Sequence, residues 1–148
     1  MDVFFSSADE YIFAPKVLYD SIVDSYLEKV KEKVNCVENI SSSRKVHFYS
    51  CEDFQNKGVE LESISIQLEN NIVIELNNND LWKKNGNSLI FKIMNDDDIQ
   101  DLVLGEPGFN DYNYLFDYES NSVSIVRAEP SKYLPKFKFK KSYIAGCI

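Results

Sequence analysis

The stretch Val3-Phe4-Phe5-Ser6-Ser7-Ala8-Asp9-Glu10-Tyr11-Ile12-Phe13-Ala14-Pro15 decides how this chain is read. Its apolar start predicts a strand, Ser6 to Asp9 predict a tight polar loop, and Pro15 stands where a helix opens, since its fixed φ suits a first helical position. From Lys16 to about Lys33 the residues Leu18, Ile22, Val23, Tyr26, Leu27, Val30 and Val34 recur at three- and four-residue spacing, which predicts one long amphipathic helix.

Beyond the helix the period changes to two. Val46 to Tyr49, Leu61 to Leu68, Ile72 to Leu76, Ser88 to Met94, Leu102 to Leu104, Tyr112 to Asp117 and Val123 to Val126 read as strands separated by Asn, Asp, Gly and Ser clusters. Glu69-Asn70-Asn71 predicts a tight hairpin, because asparagine tolerates the left-handed backbone such turns demand. The pattern is that of a mainly β domain with one helix. There is no internal repeat, and patches such as Asn77-Asn78-Asn79-Asp80 read as short loops.

At 148 residues with 44% hydrophobic content the chain is long enough for one domain with its own core. We divide it into residues 1–130 and a basic aromatic tail, residues 131–148. A net charge of −8 argues against nucleic acid, whose phosphates are met by Lys and Arg. With five lysines and no acids in the tail, residues 1–130 carry −13, so the tail is suited to fold back on an acidic body or to reach an acidic neighbour. No apolar run approaches the ~18 residues of a membrane span, so no membrane insertion is expected. The start lacks the basic and apolar regions of a signal peptide; either the chain is cytosolic or a targeting segment has been removed.

Cys36, Cys51 and Cys147 form an odd set without metal-site spacing. Cys36 and Cys51 flank a predicted hairpin with its tip at Asn39-Ile40-Ser41-Ser42-Ser43. They are placed to form a disulfide in an oxidising compartment, or to remain buried thiols otherwise. Asn39-Ile40-Ser41 is also a glycosylation sequon, a tripeptide common by chance.

A second segment works with the first. Leu102-Val103-Leu104-Gly105, Tyr112 and Phe116-Asp117-Tyr118, followed by the strand Asn121 to Val126, resemble the apolar-apolar-Gly segment and final strand of the carboxy-terminal lobe of pepsin-like aspartic proteases. Val3 to Pro15 resembles that family's active-site strand and loop. Without a gap, Phe4-Phe5 fall on its apolar pair, Ser6 on the catalytic Asp, Ser7 on the Thr/Ser, Ala8 on the Gly and Asp9 on the next Thr/Ser. Tyr19, Ile22, Cys51 and Leu61 to Leu68 fit more loosely, and the resemblance covers roughly Val3 to Ala128. It implies a single lobe of the pepsin-like fold, with Val103, Leu104, Gly105, Tyr112, Phe116 and Asp117 as structural motif residues.

The chain departs from the family in three ways. Ser6, Ser7, Ala8 and Asp9 form a vestigial loop with no carboxylate at position 6, whereas the chemistry needs two carboxylates sharing a proton. The family's second cysteine is expected near Asn87 or Ser88, and neither is Cys. The chain also opens at the active-site strand, so the strands that precede it in the family are missing.

These departures imply a pseudoprotease with no catalytic residue and no cofactor or metal, serving as a binding or structural subunit. A protein partner or a second copy would cover the exposed edge and apolar face, with Phe4, Phe5, Phe137 and Phe139 as the candidate surface. The alternative is one chain of a multi-chain aspartic endopeptidase whose carboxylates come from other chains.

Other candidates read as structural. His47, the single histidine, sits mid-strand with no nucleophile nearby in sequence. Asn95-Asp96-Asp97-Asp98 with Asp101 lacks the glycine and glutamate of a calcium loop and reads as a solvated acidic turn. Tyr133 to Lys141 alternates lysine with aromatic residues, as an edge strand of this domain or a strand docking on another sheet would. Ala145-Gly146-Cys147-Ile148 is not a prenylation box.

Overall fold

The computed structural model describes residues 1–128. The tail with Phe137, Phe139 and Cys147 lies outside the described residues. The chain is mainly β with one continuous helix of 16 residues.

That helix begins after Pro15 as α1 (Lys16–Ile22), passes through one wider π-type turn, Val23–Leu27, and finishes as α2 (Glu28–Lys31). Its buried face, Tyr19, Ile22, Val23, Tyr26, Leu27 and Val30, follows the spacing predicted from sequence. Within the wider turn the Ser25 hydroxyl donates to the Ser21 carbonyl at 2.7 Å, a local bond that competes with the helical ladder.

The large sheet starts with β1 (Val3–Phe5) and β2 (Ile12–Phe13). It continues through the hairpin of β3 (Cys36–Ile40) and β4 (Val46–Glu52). Outside it, β5 (Ile64–Gln67) and β6 (Val73–Leu76) form a separate hairpin. Its turn holds Asn70 and Asn71 both at φ 58°, the left-handed backbone expected of asparagine there. The sheet is completed by β7 (Trp82–Asn85), β8 (Ser88–Phe91), β9 (Ile93–Asp96) and β10 (Leu102–Leu104), in the order β1-β10-β2-β9-β4-β8-β7 with β3 on the other side of β4. A last hairpin, β11 (Tyr112–Asp117) with β12 (Ser122–Arg127), packs against it.

Several boundaries differ from the sequence expectation, three of them with a clear cause. Ser88 to Met94 is not one strand but breaks at Lys92, whose N–H reaches Leu81 and whose carbonyl accepts from Ile12, each at 2.8 Å. Lys92 is thus where the chain changes its neighbour from β7 to β2. The β3–β4 pairing extends to Ile40 opposite His47, so the hairpin tip lies beyond Ile40. Leu61 to Ser63 precede β5 instead of belonging to it, with Leu61 lying half-buried against the core.

Cys36 and Cys51 lie opposite each other on β3 and β4 and are joined by a disulfide. Closing a loop with a sequence separation of 15 constrains the unfolded chain. The Cys36→Ser/Cys51→Ser double variant is therefore expected to lose about 3 kcal/mol, read as a lower urea midpoint with a slope that rises as the unfolded chain expands.

Candidate functional site

The loop from Ser6 to Tyr11 connects two strands that do not touch. Between β1 and β2 runs β10, parallel to β1 (Val3 opposite Leu102, Phe5 opposite Leu104) and antiparallel to β2 (Val103 opposite Phe13). The loop must therefore arch over the end of β10, where Gly105 stands. A Cβ at Gly105 would lie 2.0 Å from the Tyr11 carbonyl oxygen and 2.6 Å from that of Asp9. Two backbone hydrogen bonds fasten the arch, Ser6 N–H to the Leu104 carbonyl at 2.9 Å and Glu106 N–H to the Asp9 carbonyl at 2.8 Å.

Ser7 and Ala8 form the exposed tip, while Ser6 and Asp9 are half-buried. Among the described residues no side-chain hydrogen bond involves the Ser6 hydroxyl or the Asp9 carboxylate. A hydroxyl without a neighbouring base is a weak nucleophile and a poor proton acceptor. Charge gathers at the loop's flank instead. Lys83 on β7 donates to Glu10 at 2.8 Å and to the Tyr11 hydroxyl at 3.4 Å, and Lys92 pairs with Glu106 at 3.3 Å. The hydrogen bond from Lys83, helped by its charge and that of Lys92, holds the Glu10 carboxyl below its usual range. The sequence does not announce Lys83 as a neighbour of the loop, because Trp82-Lys83-Lys84-Asn85 carries no alternating apolar pattern of a strand.

The two faces of β1 differ. Phe5, expected on an interaction surface, is instead buried at 6% exposure. It meets Tyr114, Phe116 and Phe109 at centroid distances of 5.1, 5.9 and 6.3 Å, because β11 brings its inward aromatics over this face. Phe4 points the other way and is half-buried in a cross-strand row with Val103, Phe13 and Met94.

The remaining motif residues hold the hairpin. Tyr112 accepts the Glu75 N–H at 2.7 Å, and Asp117 caps the turn by accepting from Glu119 N–H at 3.0 Å and Ser120 N–H at 3.3 Å. Phe116 packs on Phe5 as described.

His47 sits between two carboxylates, with Nδ1 3.5 Å from Glu38 and Nε2 3.6 Å from Asp97, and far in the sheet from Ser6. In the acidic turn Asp96 accepts the Asp98 N–H at 3.0 Å, and among the described residues no three ligand groups converge on a metal position. Among them, too, no helix is long and apolar enough to cross a membrane.

A groove of about 610 Å³ lies elsewhere, lined by Phe54, Val59, Leu61, Asn78 and Trp82 among others. The polar groups of Asn78 and Trp82 are already engaged. Tyr26 donates to Asn78 Oδ1 at 2.7 Å and accepts from Trp82 Nε1 at 3.2 Å, while Asn78 Nδ2 donates to the Leu61 carbonyl.

Comparison with models of known protein families finds no match to this chain, and comparison with curated proteins likewise finds none.

Two buried phenols make opposite predictions. Tyr26 is hydrogen-bonded on both sides, whereas the Tyr19 hydroxyl is buried with no partner among the described residues. Tyr26→Phe is expected to cost about 1–2 kcal/mol by stranding Asn78 and Trp82, and Tyr19→Phe to be neutral or stabilising in urea unfolding. Burial pushes the Tyr26 phenol from its ordinary 10.0 up to about 12, and pushes Tyr19 up as well. The unfolded chain thus loses protons first. Stability is whole below pH 10 and falls as pH rises from 10 toward 12, and Tyr26→Phe flattens that decline.

Proposed function

We propose that this chain is a non-catalytic lobe of the pepsin-like aspartic protease fold, acting as a binding or structural subunit of a larger assembly. The observation that carries the reading is the arch itself. Two segments singled out for one resemblance, Val3 to Pro15 and Val103-Leu104-Gly105, are paired strands and a loop clamped on that glycine. At the position the resemblance gives to the catalytic carboxylate stands Ser6, with no acid group of the described residues hydrogen-bonded to it.

The cysteines depart from the pattern that the resemblance implies. On β4, Cys51 lies between Cys36 on one side and Leu89 on the other. The resemblance expects its partner beside Asn87 or Ser88, on the Leu89 side. Here the bond is made to the opposite neighbour, so the cysteine is retained and its partner differs. What supports the subunit role is the row of half-buried Phe4, Val103 and Phe13 beside buried Met94, at the end of the sheet where, among the described residues, β1 pairs on one side.

Two measurements test this. Incubated with a generic peptide substrate at acidic pH, the wild-type chain is expected to show no turnover, and Ser6→Asp none without a second carboxylate from another chain. Wild-type cleavage blocked by a statine-type transition-state mimic would overturn the pseudoprotease reading in favour of a multi-chain endopeptidase. Light scattering is expected to show association, with itself or a captured partner, that Phe4→Asp weakens; a dilute monomer that binds nothing sinks the subunit role.

A further inference from the structure

Among the described residues the large sheet ends at β1, with half of that strand's hydrogen bonding unused. The Asp2 carbonyl accepts from Leu102 N–H at 3.1 Å and Ser6 N–H donates to Leu104. In that parallel register Asp2, Phe4 and Ser6 face β10, so Val3 and Phe5 turn their N–H and C=O groups to the outer edge. Among the described residues no strand pairs there. Alongside this edge runs a groove of about 290 Å³ with an apolar floor of Val3, Phe5, Leu68, Ile72, Val123 and Ile125. Asp2 and Glu69 stand on its rim, and Asp101 is joined to Asp2 by a hydrogen bond to the Asp2 N–H at 2.8 Å.

We propose that this chain's own segment Lys136-Phe137-Lys138-Phe139-Lys140, which lies outside the described residues, adds as a strand to the free edge of β1. Three observations select it over other occupants. Side chains alternate along a strand, so Phe137 and Phe139 share the face of Val3 and Phe5 over the groove, while the three lysines share the other face, where Asp2 and Asp101 lie beside Phe4. The charges are complementary, five tail lysines against a body of −13. The reach suffices as well. Ile125 lines the groove and Ala128 follows it by three residues, about 10 Å of strand, while the nine residues from Ala128 to Phe137 span up to about 30 Å. The inference does not depend on the protease resemblance.

Amide hydrogen exchange on the full chain tests it. The Val3 and Phe5 amides are expected to exchange at least about tenfold more slowly in the wild type than in the Phe137→Glu/Phe139→Glu variant, whose circular dichroism stays native. Lys136→Glu/Lys138→Glu/Lys140→Glu is expected to reduce the same protection, most at low salt. Isotope-labelled wild type is then mixed with about a tenfold excess of unlabelled Phe137→Glu/Phe139→Glu chain, and protection should persist if the strand comes from the same molecule. Loss of protection on mixing assigns the edge to a second copy and overturns the proposal. So does equal exchange at Val3 and Phe5 in wild type and variant.

Discussion

The architecture depends on a missing side chain. Strands β1 and β2 are joined by only the six residues Ser6 to Tyr11, yet β10 passes between them. That is possible only if the connecting loop can lie directly on the backbone that follows β10, and at Gly105 no atom stands in the way. Any other residue there would drive a Cβ into two carbonyl oxygens of the loop. Once the arch is closed, Leu102 and Leu104 are fully buried, Ile12 and Ile93 are brought together in register, and the inner face of β1 is presented to the aromatics of β11.

What the sequence makes legible is what local pattern determines. The helix, the Asn70-Asn71 turn and β11 with β12 each follow from period, turn chemistry or both. Strand β7 is not legible, because Trp82-Lys83-Lys84-Asn85 offers one apolar residue and is a strand only by pairing with β8. The break at Lys92 is equally hidden. It arises from hydrogen bonds to Leu81 and Ile12, residues placed there by the tertiary fold. Phe5 shows the same limit at the site, since nothing near it in sequence signals that Phe109, Tyr114 and Phe116 will close over its ring.

The disulfide is made on a strand that has two neighbours. Cys51 is 2% exposed and sits in the centre of β3, β4 and β8, where either flanking strand offers a residue directly opposite. Bonding to Cys36 staples the hairpin that follows the helix. Bonding toward β8 would staple a longer loop. The side chosen decides which loop is closed.

The loop is held by geometry more than by charge. Its flanking ion pairs, Glu10 with Lys83 and Glu106 with Lys92, have carboxylates about half exposed, and exposed pairs contribute about 0–1 kcal/mol. The two backbone hydrogen bonds and the close fit on Gly105 do not depend on the identity of the side chain at position 6. A serine there leaves the arch intact, while removing the group that acid–base chemistry would require. Under the proposed reading this separation explains how such a loop survives the loss of its reaction: the constraint that preserves its shape lies in the backbone and in Gly105, and the exposed tip Ser7-Ala8 is free of it.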